Sequence, residues 1–505
     1  MLGKLVRMVT TKREPLEPQE HDALGERLRA WKPAYPLLLA YVAGITGLVL
    51  LFQIGHIYRY LAPDSFTYFT MARVFAEHSM LYSYSGLDHT TGIHPGYYFL
   101  LLPLYPLFGL MLPYWSFGIN AALLLGGLYL CYRAFGPAVA IPMFALVHLV
   151  QGAASTNNGM ESSLLFLALS ASAYLIARLK ARITDVQALM LGAALGLAVF
   201  ARLDTIFFAA AAYGVLGIVL LVRRQTLGRI FRMYVFMSVP FLAILACALL
   251  LNLQYDGSLM PLSGKLKSSF PHLASGWIES LRILKVFIAA IAVMALYLIA
   301  KLVRKRPLGI LVPSLFLSSA LLFTYNLFFV SGIGAWYGAL PFFALTLTSG
   351  FIVRDIFSPL GARLVQPVFF SGLVALSVLT ILGHSARDLE DWITPHQVAA
   401  AYLRGQARPD EAAAEYKDGV FAFYAHMPVY SLTGLANDAA YVHALRTGTL
   451  AAYLKERHVA YVVGGSASSG AQVPGAVERL ACADPFYAAG AVELFYTSSC
   501  PVIAQ

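Results

Sequence analysis

A single acid, Asp64, lies near the start of a stretch rich in polar and aromatic residues, 56–95, which directly follows the first long apolar run. Residues 64–73 predict a short amphipathic helix on which Phe66 and Phe69 share a lipid-facing side, with Arg73 beside them reaching the headgroups. The other side faces water or a cleft and carries Asp64, Thr67, Tyr68 and Met71. An Asp here either caps the helix or serves as a functional carboxylate at the membrane surface, suited to chemistry on a lipid phosphate.

Further charged residues stand where later apolar runs begin or end. Glu161 follows the tight turn predicted at Asn158-Gly159, and it either caps the next helix or points into a cleft. Arg202 and Asp204 lie between two apolar runs with almost no loop. They form either a structural ion pair or a site in which Arg202 binds phosphate with two parallel hydrogen bonds.

Lysine, histidine and aromatic residues complete the set of candidates. Lys265 and Lys267 lie in a loop on the side where the predicted topology places few basic residues. They are either solvated, in contact with lipid headgroups, or ligands of a phosphate. A lone His94 is more often a packing or capping group than a ligand, and no spacing resembles a zinc site. Trp336 and Tyr337 fit an interfacial aromatic belt.

The composition is that of a membrane protein with many spans. Of 505 residues, 59% are hydrophobic and 12% are charged, whereas soluble proteins have roughly 25% charged residues. The net charge of +10 would suit a nucleic-acid partner, but the basic residues cluster in short loops between apolar runs, as on the cytoplasmic side of membrane proteins. We therefore expect membrane lipids as partners and no nucleic acid.

The distribution of basic residues predicts the topology. Residues 1–33 form a cytoplasmic basic arm, and a first span at 34–54 leads to an external loop at 55–114. All the basic loops fall inside only if 96–113, with its two prolines, is a re-entrant or interfacial hairpin and does not cross. About eleven spans follow from this, which makes 34–384 a transmembrane module. The spans after the first lie near 115–133, 136–153, 161–179, 185–201, 205–221, 231–252, 279–301, 308–331, 337–354 and 363–384.

Residues 385–505 differ in composition from the rest of the chain. Charges, glycines and short β-rich runs replace the long apolar runs, which predicts a small α/β domain on the external face. Cys482 and Cys500 lie there and can form a disulfide if the domain is exported. Cys131 and Cys247 lie inside apolar runs and are expected to be inert.

Several stretches together resemble the integral-membrane glycosyltransferases of the GT-C fold that use polyprenyl-phosphate sugars. The similarity includes an actinobacterial group with the terminal arabinofuranosyltransferases of mycobacterial cell-wall polysaccharide. Ser65 and Leu262 depart from the pattern, because relatives often have a second acid and an Asn there. The matching stretches are 64–73, the Gly-Ile-His-Pro-containing 90–98, the Gly-Met-Glu-containing 155–162, Ala-Arg-Leu-Asp at 201–204, 258–267, and 430–437 followed by 450–462.

The resemblance implies an inverting transfer in which Asp64 is the general base. Arg202 and Lys267 would stabilise the phosphate of the leaving polyprenyl phosphate, with Lys265 and Arg73 as further candidates. The sugar or the acceptor would be held by Glu161, Asp204, His94, Asn158, Trp336 and Tyr337.

The expected partners follow from the same resemblance. The donor would be a polyprenyl-phosphate-linked sugar, a pentofuranose such as arabinofuranose. The acceptor would be a polysaccharide, glycolipid or protein at the outer face of the bacterial cytoplasmic membrane. No cofactor is required, a divalent cation at Asp64 stays open, and the chain is expected to be monomeric. The main alternative is a transporter or flippase of a lipid-linked sugar, although the inverted repeats common in transporters are not visible in the sequence.

Overall fold

The architecture was analysed in a computed structural model. It describes residues 57, 61–149, 158–179, 183–273, 284–330, 334–357, 393–416, 419–433, 436–464, 478–480, 482, 485, 487–489, 492–500 and 502–504. The basic arm at 1–33, the predicted first span at 34–54 and the predicted last span at 363–384 lie outside the described residues. The boundaries of the predicted transmembrane module and external domain, near 384, therefore stay predictions.

The larger part of the described chain is helical, because long apolar runs with few charges satisfy their backbone groups best as helices in lipid. Its helices are α1 (Ser65–His78), α2 (Pro95–Leu101), α3 (Tyr105–Phe108), α4 (Leu112–Phe135), α5 (Pro137–Leu149), α6 (Ser162–Ala177), α7 (Asp185–Ala201), α8 (Ile206–Val222), α9 (Leu227–Asp256), α10 (Leu262–Lys267), α11 (Lys285–Val303), α12 (Leu311–Phe329) and α13 (Ala339–Phe357).

Six described helical segments are long and apolar enough to cross a membrane, and α6 and α7 are shorter apolar helices. The predicted count of about eleven spans is not confirmed and stays a prediction. The six segments are Pro95–Phe135, Leu203–Val222, Leu227–Asp256, Lys285–Val303, Leu311–Phe329 and Trp336–Asp355.

The first of these segments is broken near its start. α2 has 7 residues and α3 has 4, so each is at most about 10 Å long at 1.5 Å per residue, much less than the bilayer core. The ring of Phe99 on α2 stacks on Phe200 near the end of α7, with centroids 6.2 Å apart. The interpretation of 96–113 as a re-entrant or interfacial hairpin stays a prediction.

Small residues allow close packing inside the bundle. Gly192 of α7 lies against the backbone of Met237 on α9, where a Cβ would overlap the Met237 carbonyl. Gly127 of α4 faces the side chain of Phe166 on α6, and a Cβ at Gly127 would lie 2.7 Å from the Phe166 ring. Close approach at small residues is the usual means of helix association where the surrounding lipid gives no hydrophobic driving force.

The C-terminal part contains all of the strands that the structure describes. Five of them form one sheet in the order β2-β1-β3-β6-β5, with β1 parallel to β2 and β3 and the other neighbours antiparallel. β4 and β7 form a separate pair, and Cys482 and Cys500 are joined in a disulfide. The strands are β1 (Ala412–Glu415), β2 (Val429–Ser431), β3 (Val459–Gly464), β4 (Glu478–Leu480), β5 (Tyr487–Ala489), β6 (Val492–Tyr496) and β7 (Val502–Ala504), and the helices are α14 (Thr394–Arg404), α15 (Val420–Ala425), α16 (Ala439–Thr447) and α17 (Leu450–Glu456).

One apolar core joins the C-terminal part to residues 57–117. Thr70 of α1 donates a hydrogen bond to the Gly419 carbonyl oxygen (3.1 Å), and the hydroxyl of Tyr84 donates to Glu415. The two regions therefore lie at the same end of the helical bundle.

The prediction that Phe66 and Phe69 of α1 face lipid is wrong. Phe66 and Phe69 are fully buried, and their rings pack edge-on against Phe423 of α15 at 5.8 and 6.0 Å. Arg73 is also buried, forms an ion pair with Glu77 at 2.6 Å, and does not reach lipid headgroups. The amphipathic pattern is real, but protein covers the apolar side.

Candidate functional site

A cleft of about 540 Å³, including its open mouth, lies where α1 and α2 meet the ends of α6, α7, α10 and α13. The predicted topology also implies that the stretches 55–114, 154–160, 202–204, 253–276 and 331–336, which lie between predicted spans, share one face. Each of these stretches contributes a described residue to the cleft. The cleft is lined by Asp64, Thr67, Tyr68, Gly92, Ile93, His94, Met160, Glu161, Arg202, Ser263, Lys267, Trp336, Tyr337 and Thr433.

Asp64 precedes the first residue of α1, yet its side chain makes no capping hydrogen bond to the helix. The alternative in which Asp64 serves only as an N-cap is therefore not what the structure shows. The residue is partly exposed, and its carboxylate lines the cleft. A partly solvated carboxylate in a cleft can accept a proton from a bound hydroxyl group.

Arg202 is the centre of a buried ionic network. Its Nη1 donates to Glu161 Oε1 at 2.6 Å, and its Nε and Nη2 donate to the two oxygens of Asp204 at 3.2 and 2.7 Å. The hydroxyl of Tyr68 donates to the second oxygen of Glu161 at 2.7 Å. Burial raises the pKa of Tyr68, so the hydroxyl stays protonated and remains a donor.

This network changes the roles expected for its members. Burial acts to lower the pKa of Arg202, but the facing carboxylates of Asp204 and Glu161 raise it overall, so the guanidinium stays charged. Only 2% of its side chain is exposed, and two carboxylates already surround one positive charge. Arg202 is thus placed as a structural partner of two acids, not as an unneutralised phosphate clamp.

The two acids of the network are occupied by the same contacts. Glu161 is fully buried, both of its oxygens accept hydrogen bonds from protein side chains, and it makes no side-chain capping bond. Both oxygens of Asp204 accept from Arg202. Sugar binding by these carboxylates would require them to exchange partners that they already hold.

Lys267 is the cation that the cleft presents most directly. It ends the short helix α10, and its Nζ lies 5.5 Å from the ring centroid of Tyr337. The Thr91 hydroxyl accepts a hydrogen bond from the Leu262 N–H at 3.0 Å, which ties the start of α10 to the first loop. An ammonium at a cleft wall over an aromatic ring is well placed to meet an anionic ligand.

The other two predicted phosphate ligands lie elsewhere. Lys265 is on the same helix as Lys267 but outside the cleft, and its Nζ forms an ion pair with Asp256 at 2.7 Å. Arg73 faces α15, where its Nη2 donates to the Ala422 carbonyl oxygen at 3.3 Å. Their predicted role in phosphate binding is corrected because their charges are compensated by protein groups away from the cleft.

His94 lines the cleft directly before α2. Its Nε2 lies 3.8 Å from Glu161 Oε1, and about a quarter of its side chain is exposed. Its surroundings on the protein side are dense enough that burial lowers the pKa of the imidazole, despite the nearby carboxylate. At neutral pH the ring is therefore uncharged and can contribute one donor and one acceptor.

Asn158 does not reach the cleft. It is fully buried, and its Oδ1 accepts a hydrogen bond from the Met160 N–H at 3.1 Å. The following Gly159 has φ +75°, and a Cβ there would collide with Leu61, so this turn requires glycine. The predicted turn is present, and Asn158 shapes it in place of contacting a ligand.

Trp336 and Tyr337 line the cleft. Thr67 lines it too, as the helical pattern predicts from its place on the same face of α1 as Asp64. Ser263 and Thr433 were missed, and Thr433 is notable because it follows β2 in the C-terminal part. A lone hydroxyl residue has no distinguishing spacing, so only the fold reveals its position.

No group of three or more metal-ligating side chains capable of holding a metal ion occurs among the described residues.

Comparison with known proteins identifies the fold. The chain is similar to the crystal structure of ArnT from Cupriavidus metallidurans bound to undecaprenyl phosphate, with a TM-score of 0.58 and 14% identity over 89% of this chain and 98% of ArnT. The apo form of the same protein gives a TM-score of 0.54 at the same identity and coverage. The crystal structure of the Archaeoglobus fulgidus oligosaccharyltransferase gives a TM-score of 0.48, with 12% identity over 86% of this chain and 70% of that one. No conclusion is drawn from a TM-score this low.

No protein-family model matches the sequence, and no curated protein matches it. The structural likeness therefore establishes the GT-C architecture expected from the sequence, but not the arabinofuranosyltransferase subgroup. At this identity a shared fold does not by itself establish a shared activity.

Proposed function

We propose that the chain is a membrane glycosyltransferase that moves a sugar from a polyprenyl-phosphate donor to an acceptor hydroxyl, with inversion at the anomeric carbon. The observation that carries the proposal is the placement of Asp64 and Lys267 in one cleft that is assembled from distant segments. The fold shared with a structure of ArnT that holds undecaprenyl phosphate makes a lipid-linked donor the natural ligand.

The proposed reaction is a single displacement. The acceptor oxygen attacks the anomeric carbon, Asp64 takes the proton of that hydroxyl, and the bond from the anomeric carbon to the phosphate oxygen breaks with its electron pair. Polyprenyl phosphate leaves, and the ammonium of Lys267 compensates the charge that develops on it. Aspartate ends protonated, so charge and protons balance without a redox cofactor.

The buried network around Arg202 fixes one wall of the cleft. Arg202 binds Glu161 and Asp204, and Tyr68 binds the second oxygen of Glu161. These contacts hold α1 and the ends of α6 and α7 in one relative position. We assign the sugar and acceptor contacts to groups that face the cleft: His94, Trp336, Tyr337, Ser263 and Thr433. Thr433 would couple acceptor binding to the C-terminal part.

The sugar, the acceptor and the location belong to the same proposal. A pentofuranose such as arabinofuranose is the sugar we expect, on the basis of the sequence resemblance. A cell-envelope glycan, glycolipid or protein is the expected acceptor. We place the protein in the bacterial cytoplasmic membrane as a monomer, with its N-terminus in the cytoplasm and the cleft on the outer face.

Reconstitution tests the proposal against the transporter alternative. The purified protein in proteoliposomes is given a radiolabelled polyprenyl-phosphate arabinofuranose and a soluble arabinan or galactan acceptor. We expect label in the acceptor together with release of polyprenyl phosphate. Movement of intact donor between leaflets without any transfer would support a flippase and contradict the proposal.

A further inference from the structure

A second cavity lies at the opposite end of the bundle from the cleft. It is a groove of about 850 Å³, including its open mouth, between the start of α7, the end of α8 and the start of α9. α7 begins at this groove and ends beside Arg202 in the cleft, so its 17 residues separate the two sites by about 25 Å. In a membrane the groove therefore lies near the other interface.

One rim of the groove, formed by Gln225, Arg229 and Arg232, is positively charged. Arg229 is half-buried, and no acid within ion-pair distance of it occurs in the part of the chain that the structure describes. Arg232 is 65% exposed and forms an ion pair with Asp185 at 2.6 Å. The side-chain amide of Gln225 adds a donor at the same rim. The rim therefore offers about one uncompensated positive charge and several N–H donors.

The rest of the lining is apolar. Leu220 and Met233 are buried at the bottom of the groove, and Ile183 and Ile230 are partly buried at its sides. Phe231 and Leu227, on adjacent turns of α9, are 71% and 74% exposed. Neither side chain lines the groove. Both give the start of α9 an exposed apolar surface that suits hydrocarbon chains.

We propose that this groove binds the headgroup of an anionic phospholipid, with the phosphate at Arg229 and Arg232 and the acyl chains along α8 and α9. A soluble phosphate would satisfy the arginines but would leave the apolar walls without a partner. A zwitterionic lipid would satisfy the walls but would return one positive charge to a cationic rim. An anionic lipid at a membrane interface gains on the order of 1 kcal/mol for each basic residue near it.

Native mass spectrometry of the full chain in a non-ionic detergent tests the assignment. The protein is titrated with dioleoylphosphatidylglycerol, dioleoylphosphatidylcholine, or sodium phosphate. We expect one phosphatidylglycerol to bind more tightly than phosphatidylcholine, by about fivefold or more, the factor that corresponds to about 1 kcal/mol. Inorganic phosphate at millimolar concentration should not displace it.

Two variants and one control locate the site. Arg229→Gln should remove the preference for phosphatidylglycerol, and Arg229→Lys should retain most of it because the charge is kept. Arg223→Gln is the matched control, since Arg223 is an exposed arginine at the same end of the bundle but outside the groove.

Four outcomes overturn the proposal. The first is equal binding of the two lipids by the wild type. The second is an unchanged preference in Arg229→Gln, and the third is an equal loss in Arg223→Gln, which would indicate a diffuse basic surface. The fourth is displacement by free phosphate, which would identify a soluble anion as the ligand. If Arg229→Gln does not fold, the Arg229→Lys and Arg223→Gln proteins still decide between a local site and a diffuse surface.

Discussion

Neutralising the two cations of the cleft one at a time should produce two different defects. Lys267 faces the cleft over Tyr337, so Lys267→Gln should mainly weaken binding of the lipid phosphate. A hydrogen bond between an ammonium and a phosphate contributes about 1.5–3 kcal/mol. The dissociation constant for polyprenyl phosphate should therefore rise about 10- to 150-fold.

Arg202→Gln should instead destabilise the protein. The change leaves Glu161 and Asp204, whose side chains are 0% and 17% exposed, without the guanidinium that pairs with both. Removing one partner from a buried ionic network costs about 3–5 kcal/mol. Screening of the partly exposed Asp204 by solvent favours the lower end of that range.

The assay compares binding and melting in the same preparations. Tritiated polyprenyl phosphate without a sugar is bound to purified variants in a scintillation proximity format, and intrinsic fluorescence gives the melting temperature. Lys265→Gln is the matched control, because Lys265 lies on the same short helix and pairs with Asp256 outside the cleft. If Arg202→Gln melts like the wild type and loses lipid-phosphate binding at least as much as Lys267→Gln, the assignment of the two cations is refuted.

Three further predictions concern Tyr68, the C-terminal disulfide and His94. Tyr68→Phe should destabilise the protein by about 1–3 kcal/mol, because it leaves a buried Glu161 oxygen and the backbone N–H of His94 without their partner. Tyr82→Phe is the control. The Tyr82 hydroxyl makes no hydrogen bond in the described structure, so this variant should melt near the wild type. Reduction of the Cys482–Cys500 disulfide should lower stability by about 2–4 kcal/mol and speed proteolysis near the C-terminus, and unchanged proteolysis would contradict this. The pKa of His94 is lowered in the folded state, so the contribution of neutral His94 to stability is complete above the ordinary histidine pKa and is lost as pH falls below it. Melting temperatures measured from pH 8 to 5 should therefore fall less in His94→Gln than in the wild type. Parallel curves for the two proteins would argue against a lowered pKa of His94.

The sequence carried enough information to locate the cleft because its residues lie at the ends of apolar runs. The charge of the loops fixes which ends share a side of the membrane, and Asp64, Glu161 and Lys267 then fall at one end without any knowledge of side-chain contacts. The helical period likewise placed Asp64, Thr67 and Tyr68 on one face of α1.

The partners of these residues could not be read in the same way. Arg202 is near Asp204 in sequence, but its contact with Glu161 joins residues 41 positions apart. Local sequence therefore suggested a cation available to phosphate, whereas the folded chain surrounds it with two acids. The distinction depends on packing between α6 and α7, which periodicity does not specify.

The same limit explains the error about the apolar side of α1. An amphipathic helix needs an apolar partner, and a sequence with long hydrophobic runs suggests lipid. The partner is α15, more than three hundred residues later, where Phe423 packs on Phe66 and Phe69. Burial against protein and burial against lipid give the same periodic pattern.

The role of Asp64 as the base is the claim on which the proposed function depends most. Asp64→Asn preserves the shape of the side chain but cannot take a proton, so transfer in a single turnover with saturating donor and acceptor should fall about 100- to 10,000-fold while the affinity for the lipid-linked donor stays near that of the wild type. Transfer at the wild-type rate by the Asn variant would contradict the account, since the acceptor proton would then have to leave through another group.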